Sequence, residues 1–159
     1  TLIRKVLERL PPGMTASGFY TAEIRESGER VGFAVCTLDG RNGVLSHIRF
    51  GGSTRVGRYG VDVKGFESLV LPLLEAGRAG LYVVDEIGKM ECFSGAFCDT
   101  VRALLDSGAP VLGTVALKGG GFITEVKARD DVALFVLTVK NRDVLSNEIG
   151  RVLRSRVRE

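Results

Sequence analysis

The second half of the sequence alternates short apolar runs with segments of helical periodicity. The apolar runs are LYVVD at 81–85, APVLGTVA at 109–116 and VALFVLTV at 132–139, and their successive apolar residues are typical of strands buried on both faces. The segments at 94–108 and 141–159 repeat apolar residues at helical spacing. Because strands that alternate with helices form parallel sheets covered by helices, this half predicts an α/β fold with a mostly parallel sheet.

The first half of the sequence predicts an antiparallel hairpin extension of that sheet. Residues 18–50 contain short strand-like runs separated by a Ser-Gly and an Asp-Gly turn. Residues 1–10 have the spacing of a basic amphipathic helix, and residues 51–64 have the composition of a Gly-rich loop. Residues 66–77 predict a further helix, in which Pro72 causes a kink or a late start.

The composition limits the classes of protein to which the chain can belong. Its 159 residues suit one domain, and it has neither a run of about 18 apolar residues nor a signal peptide. The three cysteines, Cys36, Cys92 and Cys98, do not have the spacing of a zinc site or a disulfide framework. His47 is the only histidine, which argues against a serine–histidine triad. These features predict a cytoplasmic protein with reduced thiols and no membrane span.

Two adjacent carboxylates, Asp85 and Glu86, end the first apolar run. Ligands of α/β folds bind at the carboxyl ends of the strands, and Mg²⁺ prefers one or two carboxylates together with substrate phosphates. An apolar strand that ends in Asp is the Walker B arrangement, which assigns Asp85 to Mg²⁺ and Glu86 to the attacking water. The alternative is a strand that simply ends in polar residues.

A Walker B carboxylate requires a phosphate-binding Walker A loop, G-x-x-x-x-G-K-[S/T], and the sequence contains no such motif. The pair Gly88-Lys89 is followed by Met90. In P-loop proteins a helix follows the loop directly, and residues 1–10 are such a helix. We therefore expect Thr1 to end or directly follow the loop and to bind the nucleotide and Mg²⁺. Residues 1–159 are then a single P-loop domain that lacks its N-terminal strand and Walker A loop.

Six motifs occur in a recognisable order along the chain. They are TLIRKV at 1–6, GFYTAEIRESGERVGF at 18–33, TLDGRNGVLS at 37–46, RVGRYGVDV at 55–63, DEIGKME at 85–91 and NRD at 141–143. With these motifs the chain resembles the small P-loop nucleoside-triphosphatases of the thermophile-type, cancer-related NTPase family, over essentially its whole length. The resemblance implies a Mg²⁺-dependent enzyme that hydrolyses ATP, GTP and other nucleoside triphosphates to the diphosphate and phosphate.

The resemblance also implies roles for individual residues of the DEIGKME motif. It implies Asp85 as the Mg²⁺-linked carboxylate and Glu86 as the catalytic one, and it makes Gly88 and Lys89 nucleotide-binding residues. Lys89 follows the strand end, where its charge would counter that of a phosphate. The alternative for Lys89 is a solvated lysine.

Four residues outside that motif are further candidates. Arg55 lies in the Gly-rich loop, from which an arginine can reach the γ-phosphate as an arginine finger does, or it is a surface arginine. Tyr59 either stacks on a base or fills the loop. Asn141 and Arg142 follow the third apolar run, where we expect contact with the base or ribose, unless Asn141 or Asp143 caps the last helix.

Two other functions agree with the same residues. A nucleotide or small-molecule kinase would use residues 37–64 as a lid over an acceptor, and a non-catalytic module would bind a nucleotide or RNA without releasing phosphate. A net charge of +3 and the lack of an RNA-binding motif argue against nucleic acid as the main partner. Base preference and oligomeric state are left open by the sequence.

Overall fold

The computed structural model describes residues 2–157, and its seven strands form one sheet in the order β4-β5-β3-β2-β1-β6-β7. The strands are β1 (Ala16–Glu26), β2 (Glu29–Thr37), β3 (Asn42–His47), β4 (Arg55–Val56), β5 (Tyr59–Val61), β6 (Leu81–Ile87) and β7 (Val111–Val115). The helices are α1 (Leu2–Leu7), α2 (Val63–Val70), α3 (Gly95–Asp106), α4 (Phe122–Lys127) and α5 (Arg142–Val157).

The sheet has a parallel part and an antiparallel part, as the sequence predicts. Strand β6 pairs in parallel with β1 on one side and with β7 on the other. Strands β1, β2, β3, β5 and β4 pair in that order, each antiparallel to the next. The predicted α/β fold class is therefore confirmed, although the antiparallel extension is the larger part of the sheet within residues 2–157.

Strand β6 is buried on both faces, which confirms the interpretation of LYVVD. Tyr82 and Val84 join the core cluster beneath α2, α3 and α4. Leu81 and Val83 join the opposite cluster, which packs against α1 and α5. Side chains alternate across a strand, so a strand between two helical layers must be apolar at every position. This burial fixes the carboxyl end of β6, where the charged residues begin.

The hydroxyl group of Tyr82 binds the turn that leads into β6. It accepts hydrogen bonds from the backbone N–H groups of Arg78 (2.8 Å) and Ala79 (3.2 Å), and it donates one to the carbonyl of Glu75 (2.6 Å). We expect Tyr82→Phe to lower the free energy of unfolding by about 1–2 kcal/mol, since partners on the exposed turn regain water. Urea denaturation measures this loss, and Tyr20→Phe is the control because the Tyr20 hydroxyl group has no hydrogen bond to any part of the chain that the structure describes. Equal stability of the two variants would contradict the prediction.

The prediction of a Gly-rich loop over residues 51–64 is wrong in part. The segment contains the two-stranded hairpin of β4 and β5, in which Arg55 pairs with Gly60. Val61 then pairs with Ser46 and attaches the hairpin to β3. The glycines obscured this pattern because each strand is very short. The hairpin carries Arg55 on a strand rather than on a free loop.

The strand predicted at 132–139 is absent, and this is a correction to the sequence analysis. The segment has no strand, and Val136 and Val139 are 69% and 87% exposed. A strand needs a neighbour for its backbone hydrogen bonds, and β7 is the last strand of the sheet in the part of the chain described. Apolar composition alone therefore does not make this run a strand.

The helix predicted over residues 66–77 is α2, which begins three residues earlier and ends at Val70. Pro72 ends regular helix, because α2 gives way to a tight 3₁₀ turn at Leu71–Leu74. The helix predicted near residue 94 is α3, whose first turn is capped by Ser94 accepting a hydrogen bond from the N–H group of Phe97 (2.9 Å). Within residues 2–157, no helix is both long and apolar enough to cross a membrane.

Candidate active site

Asp85 lies where β6 emerges at its carboxyl end. The hydroxyl group of Thr114, on the neighbouring strand β7, donates a hydrogen bond of 2.6 Å to Asp85 Oδ1. Partial burial raises the pKa of Asp85, and the Thr114 hydrogen bond works in the opposite direction. The free oxygen of this oriented carboxylate remains available to a cation.

Glu86 is the next residue and borders an open cleft. Its side chain is partly buried, and burial, followed by the negative charge of Asp85, raises its pKa. The cleft has a volume of about 330 Å³ and a mixed lining of apolar and charged side chains: Thr21, Phe33, Leu45, Val56, Glu86, Lys89, Met90, Glu91, Ala116 and Lys118. A carboxylate with a raised pKa beside an open cleft is suited to orient and deprotonate water.

Gly88 separates Glu86 from a second carboxyl group, that of Glu91. A Cβ atom at Gly88 would lie 2.6 Å from Glu86 Oε1 and 2.9 Å from Glu91 Oε2, so a larger residue would displace both. Glu91 is only 3% exposed, and burial raises its pKa to about 7. Gly88 is thus part of the site through its small size.

Lys89 is exposed and lines two neighbouring clefts. The second cleft, of about 390 Å³, also has Arg55 and Phe93 in its wall. The guanidinium group of Arg55 donates hydrogen bonds to the carbonyls of Phe50 (2.7 Å) and Arg58 (2.6 Å). The structure therefore brings Arg55 into the same cleft as Lys89, with its guanidinium group held by backbone carbonyls.

The environment of Tyr59 favours packing over base stacking. Its side chain is 9% exposed, and its ring centroid lies 5.5 Å from that of Phe33. Its hydroxyl group accepts a hydrogen bond of 3.0 Å from Arg30 Nε. A ring held between these neighbours has little surface left for a ligand.

Asn141 and Arg142 are outside both clefts. The side chain of Asn141 accepts a hydrogen bond from the N–H group of Thr138 (2.8 Å) and donates one to the carbonyl of Val136 (2.7 Å). These bonds hold the turn before α5 and do not cap the helix, because both partners lie upstream of its first residue. Arg142 is the exposed first residue of that helix. Base or ribose contact by these residues stays a prediction, and Thr1 lies outside the described residues.

Two residues of the site have no role in the sequence analysis. Thr114 belongs to a predicted strand, but its bond to Asp85 depends on which strand neighbours β6. Glu91 belongs to the DEIGKME motif, yet only the structure reveals that it is buried. The proximity of Glu91 to Glu86 in sequence was the one available signal.

The oxygen ligands at the end of β6 fit magnesium rather than zinc. Among the described residues, no group of three or more His, Cys, Asp or Glu side chains is arranged to hold a metal ion. Mg²⁺ does not need such a group, because it keeps several waters and binds one or two carboxylates together with substrate phosphates. Asp85, oriented by Thr114, meets that requirement.

The chain is similar to known proteins over almost all of its length. A family model described as NTPase matches residues 1–150. The nucleoside-triphosphatase THEP1 of Thermotoga petrophila is 42% identical over 156 residues, which are 97% of this chain and 86% of that protein. The cancer-related nucleoside-triphosphatase homolog of Bos taurus is 44% identical over 168 residues, covering 94% and 87%. The crystal structure of THEP1 from Aquifex aeolicus matches with a TM-score of 0.86 and 36% identity, covering 96% and 90%.

Proposed function

We propose that Asp85 and Glu86 together catalyse hydrolysis of the β–γ bond of nucleoside triphosphates such as ATP and GTP. The proposal starts from the family, because the chain belongs to the nucleoside-triphosphatases. The observation that carries the proposal is the pair of partly buried carboxylates at the carboxyl end of β6, where Thr114 orients Asp85 and Glu86 borders a cleft. Their different surroundings support different roles, one toward the cation and one toward water.

Asp85 holds Mg²⁺ in this proposal, with the phosphates of the substrate as further ligands. When bound there, the cation would supply positive charge against the β- and γ-phosphates. The hydroxyl group of Thr114 keeps one oxygen of Asp85 occupied and so leaves the other for the cation. Thr1 is the second proposed ligand, as the sequence analysis expects.

Glu86 orients the attacking water and accepts its proton. The water oxygen forms a bond to the γ-phosphorus, the bond between that phosphorus and the bridging oxygen breaks, and the nucleoside diphosphate and inorganic phosphate leave. Lys89 counters the charge of the phosphates from the edge of the cleft, and Gly88 leaves room for the Glu86 carboxylate. Arg55 acts on the γ-phosphate only after its hydrogen bonds to the carbonyls of Phe50 and Arg58 are exchanged.

Magnesium dependence tests the proposed role of Asp85. In the full-length protein, we expect Asp85→Asn to raise the Mg²⁺ concentration for half-maximal phosphate release from ATP and GTP by about tenfold or more, because a neutral amide binds a cation weakly. A magnesium titration of phosphate release measures the shift. The same assay distinguishes the two reactions, because hydrolysis releases free phosphate whereas a kinase transfers the phosphoryl group to an acceptor.

Asp130→Asn is the matched control for this titration. Asp130 is exposed and forms no salt bridge or side-chain hydrogen bond with the residues that the structure describes, so its magnesium curve should equal that of the parent. If Asp85→Asn gave the parent's curve as well, Asp85 would not be the magnesium ligand.

A further inference from the structure

Glu91 is a buried carboxyl group without a compensating cation. Among residues 2–156, it is the only Asp, Glu, Lys or Arg side chain that is buried, and no lysine or arginine of the described residues forms a salt bridge with it. Burying an unpaired carboxyl group is unfavourable, so such a group persists where the site makes use of it. The question is which group in the site depends on it.

The carboxyl group of Glu91 lies against Gly88, in the turn that follows β6. The backbone N–H groups of Glu91 and Gly88 face it, and they partly offset the effect of burial on its pKa. The same turn is closed by a hydrogen bond from the N–H group of Cys92 to the carbonyl of Gly88 (3.0 Å). Gly88 therefore lies between the side chain of Glu91 and the backbone hydrogen bond that closes the turn.

The side chains of Glu91 and Glu86 both lie close to Gly88. The two carboxyl groups border the same glycine, at 2.6 Å and 2.9 Å from the position that a Cβ would take, and both line the cleft of about 330 Å³. Lys89, which lines that cleft too, is the next residue of the turn. The length of the Glu91 side chain thus fixes how closely the turn approaches Glu86.

We propose that Glu91 is a positioning residue, whose carboxyl group holds the Gly88 turn and thereby keeps Glu86 in its orientation toward the cleft. This inference rests on the proposed role of Glu86. The length of the side chain and its acceptor oxygen matter here, and its charge does not. The raised pKa of Glu91, about 7, agrees with this view, because the group carries a proton for part of the time near neutral pH.

Two variants of the full-length protein separate length from charge. Glu91→Gln keeps the length and an acceptor oxygen, so its kcat for ATP hydrolysis should stay within about threefold of the parent. Glu91→Asp keeps the charge but withdraws the carboxyl group by one methylene, so its kcat should fall by about tenfold or more with KM within about twofold. If Glu91 had only a structural role, both variants would have a lower melting temperature, and their kcat values would not differ in this way. Equal kcat values for the two variants would overturn the proposal.

A double variant shows whether Glu91 acts through Glu86. Adding Glu91→Asp to Glu86→Gln should cause no further loss of kcat, because residues that act as a unit are not additive. A further loss of about tenfold would mean an independent role and would overturn the proposal. If Glu86→Gln alone retained the parent's rate, the proposed function would fail, and the positioning role would fail with it.

Gly88→Ala keeps the proposal testable if Glu91→Asp does not fold. Gly88 has no positive φ, so alanine is compatible with its backbone, but the new Cβ would press on both carboxyl groups from between them. We expect a loss of kcat of about tenfold or more, with little change in KM. An unchanged kcat would show that the spacing across Gly88 does not matter and would overturn the proposal.

Discussion

Replacing Glu86 with glutamine should lower the rate of phosphate release from ATP by about 10²–10⁴-fold, while nucleotide affinity changes little. Glutamine keeps the size of the side chain but cannot accept a proton from the attacking water. The loss therefore appears in the chemical step, because Asp85 and Lys89 still meet the substrate. Single-turnover phosphate release at saturating Mg²⁺ and ATP measures the chemical step, and calorimetry measures the affinity of the same variant.

Glu29→Gln is the matched control for the Glu86 variant. Glu29 begins β2, is exposed, and within residues 2–156 has no partner for a salt bridge or side-chain hydrogen bond, so the same substitution there should leave phosphate release unchanged. A Glu86→Gln variant that released phosphate at the parent's rate would contradict the assignment of Glu86 as the base. A variant that lost both hydrolysis and nucleotide binding would point to a damaged site rather than to a missing base.

The part of the site that lies on one strand end could be predicted from the sequence. Asp85 and Glu86 follow a fully apolar run, and a run buried on both faces ends where its first charged residues reach the edge of the sheet. The contact between Asp85 and Thr114 could not be predicted, because it depends on the pairing of β6 with β7. The burial of Glu91 likewise depends on the tertiary structure, since the sequence Lys-Met-Glu at 89–91 by itself predicts an exposed segment.

The fold could be predicted where periodicity and turn residues agree. Strand β6 and helix α3 were predictable in this way, because each has a clear apolar pattern and a defined start. The hairpin over residues 55–61 has strands too short for a period of two to be visible. The run at 132–139 has the right composition for a strand but no neighbour within the described sheet, and composition cannot reveal a missing neighbour.

The position of the proposed catalytic pair, Asp85 and Glu86, depends on how closely β1 approaches β6. Gly18 of β1 lies opposite Val83 in the parallel ladder, two residues before Asp85. A Cβ at Gly18 would lie 2.0 Å from the carbonyl oxygen of Val83 and 2.8 Å from its carbonyl carbon. Gly18 also has φ +130°, a conformation that favours glycine. Both the space and the backbone conformation therefore exclude a side chain here.

We expect Gly18→Ala to cost about 4–5 kcal/mol or more, because the methyl group must displace the backbone of the central strand rather than a flexible side chain. A loss of this size is comparable with the whole stability of many domains, about 5–15 kcal/mol, so most of the variant should be unfolded or insoluble. Gly51→Ala is the control, since Gly51 has no positive φ and a Cβ there would meet nothing within 4 Å. Circular dichroism and urea denaturation of the two soluble fractions measure the difference. A Gly18→Ala protein as stable as the control would mean that β1 and β6 can separate at this point, and the approach of β1 would then not fix the position of the strand end that carries Asp85 and Glu86.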